Sequence, residues 1–302
     1  MLVVTNMWPT KGRPQYGIFV RQQVEHVRRA GVGVDVLFVD GSVDRRQYLL
    51  AFARLRRQLR SGDYQLIHAH YVLSGLIARA QRRLPIVLTH HGIEVMQSWQ
   101  SPLCYGVSRL VDEVIVTTSS MRERLAMPDA AVIPCGVDLE TFRPLPRADA
   151  RVVLGLAKSG PLALFVGEDR PEKRLDLAVR AAALAGVPLH HVHGEPPERV
   201  ALFMNAADVL VLPSDNEGSP QVVKEALACD LPVVATDVGA VAGLIGGVEG
   251  CHLASQSPPD IAAKLRRAVE GGRSRGGRAS VAPLSLPVVA ERVIGVYERV
   301  LG

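Results

Sequence analysis

The segment that decides the fold covers residues 209–236 and reads VLVLPSDNEGSPQVVKEALACDLPVVAT. It opens with an apolar run at 209–212, passes through a polar loop into a stretch of helical period at 220–228, and closes with a second apolar run at 232–236. Short apolar runs that alternate with helical stretches are typical of parallel-sheet α/β domains. The segment therefore predicts two strands of one parallel sheet, joined by a helix.

The same alternation extends over the rest of the chain. In the first half it predicts strands at 2–5, 34–39, 66–70, 86–89, 114–117 and 131–133, and helices at 17–30, 45–60, 74–83 and 119–125. After a Pro-rich linker at 143–147, it predicts strands at 162–166 and 189–192, and helices at 174–185, 197–205, 258–270 and 287–301, with a flexible Gly/Arg-rich connection at 271–277. We therefore expect two consecutive Rossmann-like units with a cleft between them and ligands at the carboxyl ends of the strands.

Composition narrows the class of protein. A chain of 302 residues, 48% hydrophobic and 22% charged, has the length of two ordinary domains and is too apolar for disorder. It contains no apolar run near the roughly 18 residues that span a bilayer. The first residues lack the regions of a signal peptide, and the four cysteines form no CxxC pair. We expect a cytoplasmic protein without a disulfide framework or zinc site.

The positive charge lies in the first half of the chain. Residues 1–143 contain 18 Lys and Arg against 12 Asp and Glu, whereas the remainder contains 17 against 18. A basic half could face nucleic acid, an anionic membrane or a phosphorylated substrate. Because aromatic residues are few and no nucleic-acid-binding module is present, we expect no nucleic-acid partner.

Two glutamates flank the start of the helix predicted at 220–228. Ser219 is a good N-cap and Pro220 suits the first helical position, so free amides near Gly218 could bind hydroxyl or phosphate oxygens. Glu217 precedes the cap and Glu225 lies about one and a half turns into the helix. The two carboxylates could hold one polyhydroxylated ligand. Alternatively, one is favoured by the helix dipole and the other is solvated; spacing leaves both interpretations open.

Five segments resemble, in order, the family 4 retaining glycosyltransferases, which have the GT-B fold. The stretch 217–239 resembles the family's E-x7-E signature. The other matching segments are IHAHY at 67–71, THHG at 89–92, IPCGVDLETFRP at 133–144 and VGEDRPEK at 166–173. This resemblance spans nearly the whole chain. It implies an α/β protein of two Rossmann-like domains that face each other across a cleft, with the C-terminal helix returning to the first domain.

The resemblance also implies roles on the donor side. Glu217, helped by the amides of Gly218 and Ser219, would bind the hydroxyls of the donor sugar, and Glu225 would accept hydrogen bonds from the ribose of the nucleotide. Lys173 would neutralise the diphosphate, whose negative charge grows as the glycosidic bond breaks. Without the resemblance, Lys173 is better interpreted as a solvated lysine in a charged run.

The phosphate segment departs from the family pattern. Glu168 stands where the family has an arginine, and either Arg170 or Arg174 could supply the second positive charge. Gly194 matches a glycine beside the nucleotide base. The histidines that alternate along the neighbouring strand, at 190, 191 and 193, are expected to be structural, so we predict no metal site.

In the first half, the resemblance points to His91 as the residue near the reacting carbon of the donor sugar. Glu94 matches an acidic position and is a candidate contact of the acceptor. Gly17 belongs to a glycine-containing loop that lies over the cleft in the family and could approach phosphates or an acceptor. Retaining enzymes of this family need no carboxylate nucleophile, so we nominate no catalytic base.

Taken together, the resemblance implies a metal-independent, retaining hexosyltransferase without a cofactor. Residues 1–143, with helix 287–302, would bind the acceptor, and residues 144–286 would bind the nucleotide-sugar. The donor would be a UDP- or GDP-sugar, and the acceptor a hydroxyl of a glycan, a lipid-linked molecule or a small molecule. The alternative, motivated by Glu168, is a non-catalytic sugar-nucleotide-binding or scaffold protein of the same fold.

The predicted helix 45–60 combines leucines with six arginines. One interpretation is a helix that lies on the inner face of a membrane, which would make the protein peripheral there. The other, which we favour, is a helix packed on the sheet with a solvated basic face.

Overall fold

The computed structural model describes residues 1–41, 43–96 and 99–302, with the side chain of Ile93 left out. The chain separates into two units. The first consists of Met1–Gly136 and Leu286–Gly302, and the second of Val137–Ser285. The chain thus leaves the first unit once and returns to it with its last helix.

The first unit has a six-stranded parallel sheet with helices on both faces. Its strands are β1 (Leu2–Thr5), β2 (Asp35–Phe38), β3 (Ile67–His70), β4 (Ile86–His90), β5 (Glu113–Val116) and β6 (Ala131–Val132). Its helices are α1 (Ile18–Arg29), α2 (Arg46–Ser61), α3 (Val72–Ala78), α4 (Ile93–Met96), α5 (Ser101–Ser108) and α6 (Ser119–Arg124).

The second unit has a five-stranded parallel sheet. Its strands are β7 (Ala163–Val166), β8 (Leu189–Val192), β9 (Val209–Leu212), β10 (Val233–Thr236) and β11 (His252–Ala254). Its helices are α7 (Arg147–Leu154), α8 (Leu175–Ala185), α9 (Pro197–Ala206), α10 (Gln221–Ala228), α11 (Val241–Ile245), α12 (Pro258–Gly271) and α13 (Gly277–Val281), and short 3₁₀ turns cover Pro171–Lys173 and Ala282–Leu284. Helix α14 (Leu286–Leu301) then belongs to the first unit.

The two sheets have the same strand order. The first runs β2-β1-β3-β4-β5-β6 and the second runs β8-β7-β9-β10-β11. In each, the first strand pairs with the second on one side and with the third on the other, so the winding direction reverses between the first and third strands. Ligands of doubly wound sheets bind at this switch point, outside the carboxyl ends of the strands. The switch points here are β1/β3 and β7/β9.

Helix α14 completes the first unit. Its residues Val289, Val293, Val296 and Tyr297 are buried, and they pack with α1 against one face of the sheet. Helices α2, α3 and α5 cover the other face. Within the described part of the chain, no helix is both long and apolar enough to cross a membrane.

The prediction of two parallel Rossmann-like units is confirmed, and each predicted strand is present within one residue of its expected bounds. The helix predicted at 74–83 is shorter, because the Gln81 side chain accepts hydrogen bonds from the amides of Arg83 and Leu84 and turns the chain. The connection 271–277 is not a free linker, since the amide of Ser274 donates to the carbonyl of Asp230 at 3.0 Å. Short elements were missed, among them α4, α5, α7, α11, α13 and β11.

Candidate functional site

Three loops of the second unit converge because their strands β7, β9 and β10 are neighbours in the sheet. The amide of Asp215 donates to the carbonyl of Glu172 at 2.9 Å, which joins the β9 loop to the β7 loop. The amide of Ala240 donates to the carbonyl of Gly218 at 2.8 Å, which joins the β10 loop to the β9 loop. The predicted donor residues of these loops therefore lie together at the β7/β9 switch point.

Glu217 and Lys173 form an ion pair across this switch point. The Lys173 ammonium donates to Oε1 of Glu217 at 2.6 Å, and the Ser214 hydroxyl donates to the same oxygen at 2.8 Å. Only 8% of the Glu217 side chain and 18% of the Lys173 side chain are exposed. An ammonium has three donors and this pair uses one, so Lys173 can bind a further anion without leaving Glu217.

The start of α10 differs from the prediction. Pro220 is the N-cap and the helix begins at Gln221, so the expected capping by Ser219 is wrong. The Ser219 hydroxyl is buried and has no hydrogen-bond partner among the described residues. Pro220 has φ at −64° and ψ at 120°, an extended conformation, so the first helical residue is Gln221.

Glu225 lies in the second turn of α10, with its carboxyl partly buried. Burial raises the pKa of this carboxyl to about 7; the attraction of Lys224 lowers that pKa and the repulsion of Asp138 raises it. Within the described ranges, no hydrogen bond or ion pair satisfies the Glu225 carboxyl. A carboxyl held in this way is suited to accept hydrogen bonds from an incoming ligand.

The residues proposed for the phosphate side are all engaged with acids. Arg170 lies 3.5 Å from a carboxylate oxygen of Glu168 and 3.4 Å from one of Glu172. Arg174 donates to Asp176 at 3.1 Å and to Asp215 at 3.0 Å. Hydrogen bonds to these two acids raise the pKa of Arg174 above its usual value. Arg174 is thus fixed to the β9 loop, whereas the contacts of Arg170 are longer.

Gly194 follows β8 on the carboxyl side of the sheet and is exposed, with φ at +71°. The histidines of this strand have structural partners, as expected. His191 Nε2 lies 2.8 Å from the carbonyl of Gly167, and the ring of His190 stacks on Phe203.

In the first unit, His91 lies in a cluster of aromatic and histidine rings after β4. Its Nε2 is 3.0 Å from Nδ1 of His70, and its Nδ1 is 3.6 Å from Sγ of Cys135. The ring centroids of Phe19 and Tyr71 lie 4.9 and 4.7 Å from that of His91. Burial, followed by repulsion from the neighbouring histidines, lowers the pKa of His91 well below its usual value, so the ring is neutral at pH 7.

Glu94 is buried beneath the His91 loop. Its Oε1 accepts a hydrogen bond from the amide of His91 at 2.7 Å, and its Oε2 accepts one from the amide of Gly92 at 3.1 Å. This carboxylate therefore holds the loop in place. Contact with an acceptor stays a prediction for this residue.

Gly17 is the N-cap of α1, in the loop after β1, and has φ at +72°. A Cβ at this position would lie 2.4 Å from the carbonyl carbon of Met7 and 2.7 Å from the amide nitrogen of Trp8. Only glycine fits so close to the neighbouring backbone. Gly17 thus stands at the switch point of the first sheet.

Several residues around the candidate site were not predicted from the sequence. His70 was quoted within IHAHY without a role, yet it contacts His91 and its Nε2 is buried without a partner among the described residues. Tyr71 follows with φ at +70° and ψ at 153°, a conformation that costs a non-glycine residue about 1–3 kcal/mol. Ser214, the partner of Glu217, was also missed. The available signal was a polar residue at the carboxyl end of a buried strand or within two residues after it.

These features define a class: a protein of two doubly wound α/β units, each with polar residues at its switch point. Comparisons with known proteins agree with this class. Residues 3–141 match the family Glycosyltransferase Family 4, and residues 156–271 match Glycosyl transferases group 1. The chain belongs to the family 4 glycosyltransferases.

Curated relatives include D-inositol 3-phosphate glycosyltransferases. The one from Mycolicibacterium gilvum is 32% identical over 73% of this chain and 62% of its own length. The one from Acidothermus cellulolyticus is 28% identical over 84% of this chain and 71% of its own length. The chain thus spans about two thirds of the length of the relatives it matches.

Solved structures share the GT-B fold. The sucrose-phosphate synthase of Thermosynechococcus elongatus has a TM-score of 0.78 and 21% identity, covering 99% of this chain and 98% of that one. The Anabaena protein HepE, solved in complex with UDP-glucose, has a TM-score of 0.71 and 13% identity, covering 99% of both chains. At these identities the likeness concerns the fold alone.

Proposed function

We propose that this chain is a retaining glycosyltransferase that moves a sugar from a nucleotide-sugar, a UDP- or GDP-sugar, to a hydroxyl of an acceptor. The observation that carries the proposal is the Lys173–Glu217 ion pair at the switch point of the second sheet. It joins a cation for a diphosphate to a carboxylate for sugar hydroxyls at the place where doubly wound sheets bind nucleotides.

The second unit would bind the donor. Glu217 accepts hydrogen bonds from the sugar hydroxyls, and the backbone of Gly218 and Ser219 supports the same group. Glu225, with its unsatisfied carboxyl, accepts from the ribose hydroxyls. The two remaining donors of the Lys173 ammonium bind the diphosphate and stabilise the charge that develops as the phosphate leaves. Arg170 is better suited than Arg174 to add a second cation, because its ion pairs are longer.

The first unit would bind the acceptor. A neutral His91 can hydrogen-bond to a sugar hydroxyl, and it does not repel the positive charge that develops on the sugar carbon. Transfer breaks the bond between this carbon and the phosphate oxygen, and forms a bond to the acceptor oxygen on the same face. The acceptor proton goes to the leaving phosphate, so the configuration is retained and no protein base is required.

The relatives near 30% identity are named D-inositol 3-phosphate glycosyltransferases. Their names support a phosphorylated or polyhydroxylated acceptor as one option. A glycan and a lipid-linked hydroxyl are the other two. The UDP-glucose complex of HepE supports testing uridine nucleotides first.

A second candidate is a sugar-nucleotide-binding protein without transferase activity. It is favoured by the phosphate segment, where the exposed Glu168 carboxylate stands beside Arg170 and would repel a diphosphate. Membership of a glycosyltransferase family favours the enzyme, whereas the Lys173–Glu217 pair would help either candidate to hold a diphosphate.

Turnover of nucleotide-sugars separates the two candidates. The purified chain is incubated with UDP- and GDP-sugars, with and without acceptor extracts, and release of the nucleoside diphosphate is measured. We expect release by the wild type and a loss of at least about 100-fold in Lys173→Met, because one charge-stabilising contact contributes that much. Lys158→Met, at an exposed lysine of the same unit, is the control. Binding of a nucleotide-sugar without turnover would favour the second candidate.

A further inference from the structure

Helix α2 of the first unit has two different faces. Its inner face buries Ala51 and Leu55 and packs Tyr48, Phe52 and Leu59 against the sheet. This face fixes the helix to the unit without help from the rest of its surface. The outer face is therefore free to serve another purpose.

The outer face is strongly basic, and acidic residues of the helix do not neutralise its charge. Residues 45–60 contain no Asp or Glu, and their arginines are all exposed: Arg45, Arg46, Arg54, Arg56, Arg57 and Arg60. Over 1–41, 43–96 and 99–302, no ion pair or hydrogen bond is made by any of these guanidinium groups. Exposed arginines of the second unit, such as Arg180 and Arg199, do pair with acids. The positive charge of α2 thus lacks a partner within the described chain.

Large apolar side chains share this face. Leu49 and Leu50, in the first turn of α2, are 73% and 54% exposed, and Val43 just before the helix is 78% exposed. Leu49 lies seven residues before Arg56, and Leu50 seven residues before Arg57, so each leucine lies on the same side of the helix as an arginine. Exposed leucines beside arginines on one helix face are typical of helices that lie in a lipid interface.

The C-terminal half of α2 lines a surface groove whose side chains can bind a phosphate. Arg56, Arg57 and Arg60 line a shallow surface groove with Ala53 and Ser61. Three guanidinium groups around one groove can bind a phosphate oxygen cluster, as in a phospholipid headgroup. In the same helical layer, Leu76 of α3 and Tyr105 of α5 are 42% and 46% exposed, which extends the apolar character of this side of the unit.

We propose that the outer face of α2 docks onto an anionic phospholipid bilayer. The arginines bind the lipid phosphates, and Leu49, Leu50 and Val43 enter the boundary between headgroups and acyl chains. Charge complementarity selects an anionic surface, and the exposed leucines select a bilayer over RNA, which offers no apolar layer for them. This surface belongs to the first unit, whereas the proposed donor residues belong to the second.

The test is co-sedimentation of the full chain with vesicles of phosphatidylcholine alone and of phosphatidylcholine with about one third phosphatidylglycerol. We expect binding to the anionic vesicles only, and binding that weakens as salt is raised. Arg57→Gln/Arg60→Gln should weaken binding roughly 25-fold, because each basic residue at such a surface contributes a factor of about five. Leu49→Ser/Leu50→Ser should weaken binding by about tenfold or more.

The matched control is Arg82→Gln/Arg83→Gln, which removes the same charge from an exposed loop of the same unit. Circular dichroism verifies that each variant is folded. The proposal is overturned if the wild type binds both kinds of vesicle equally or not at all, if the control loses as much affinity as the α2 arginine variant, or if the leucine variant binds like the wild type. Binding of an RNA homopolymer through Arg57 and Arg60, without vesicle binding, would overturn it too.

Discussion

At the scale of single residues, Glu225 is a carboxyl whose surroundings disfavour its charged form. Burial raises the pKa of its carboxyl from 4.5 to about 7, and the described chain offers it no hydrogen bond. The ionised form is therefore unstable in the free protein. A ligand that donates hydrogen bonds to this carboxylate relieves that cost, so ribose binding and deprotonation of Glu225 should be coupled.

The raised pKa of Glu225 also predicts how the stability of the protein depends on pH. The folded state holds the Glu225 proton more tightly than the unfolded chain, so this residue makes the free energy of unfolding fall as pH rises from about 4.5 to about 7. Glu225→Gln should raise the free energy of unfolding by roughly 2 kcal/mol near pH 8 and change it little near pH 4. Urea unfolding at both pH values measures this. The exposed Glu270→Gln is the control, and an equal effect of both substitutions at each pH would contradict the account.

The sequence alone did not predict how individual site residues are placed. Spacing and resemblance pointed to Glu217 and Lys173, but these residues are 44 positions apart and only the sheet order brings them into contact. The capping by Ser219 was wrong because the backbone of Pro220 is extended, with ψ at 120°, and the helix begins one residue later at Gln221. Local propensity predicts the first residue of a helix to within one or two positions. The groups of a binding site must be placed more accurately than that.

At the scale of elements, the loop after β10 supports the loop that carries Glu217. Gly239 has φ at +58°, and a Cβ there would lie 2.3 Å from the carbonyl oxygens of both Glu217 and Gly218. Gly239→Ala should therefore displace the Glu217 loop, lower stability by about 1–3 kcal/mol and weaken nucleotide-sugar binding at least tenfold.

Gly243→Ala is the matched control for that substitution. Gly243 lies in α11, four residues further on, and a Cβ there meets no atom within 4 Å. Because alanine favours a helix, this variant should keep full binding and gain slightly in stability. Calorimetric titration and thermal unfolding of both variants measure the difference. Unchanged donor binding by Gly239→Ala would show that the Glu217 loop is held by other contacts.

Helix α14 is linked to the first unit by a buried hydrogen bond as well as by apolar packing. The Tyr297 hydroxyl lies 2.7 Å from Nδ1 of His68, whose Nε2 lies 2.7 Å from the Thr89 hydroxyl. Tyr297→Phe leaves the buried imidazole unsatisfied and should lower the free energy of unfolding by about 1–3 kcal/mol. Tyr105→Phe, at a half-exposed ring, should change it by less than about 0.5 kcal/mol. Urea unfolding distinguishes them, and equal losses would contradict a role for the hydrogen bond.

At the scale of the whole molecule, only one of the two units is a single continuous segment of the chain. Val137–Ser285 is one continuous unit, whereas Met1–Gly136 lacks α14, which covers one face of its sheet. We predict that residues 137–285 fold alone and unfold cooperatively in urea, and that residues 1–136 do so only with a linked copy of residues 286–302. A folded fragment 1–136 without the helix would contradict this.

The architecture followed from the sequence because parallel strands that are buried on both faces are nearly continuous apolar runs. The alternation of strand and helix predicted both sheets and all their strands except β11. The return of the last helix to the first unit was predicted only by the family resemblance. Short elements such as α4 and α11 were not predictable, because four or five residues carry too little periodicity. The shared strand order, which sets both switch points, needed the structure.

The central claim is that Lys173, Glu217 and Glu225 bind one nucleotide-sugar with separate tasks. Calorimetric titration of UDP, GDP and their hexose conjugates into the wild type, Glu217→Gln and Glu225→Gln tests it most directly. We predict that one nucleotide-sugar binds the wild type, that Glu225→Gln weakens the nucleotide and its sugar conjugate equally, and that Glu217→Gln weakens only the conjugate. If the folded wild type binds none of these ligands, or if the two variants bind all of them like the wild type, the claim is contradicted.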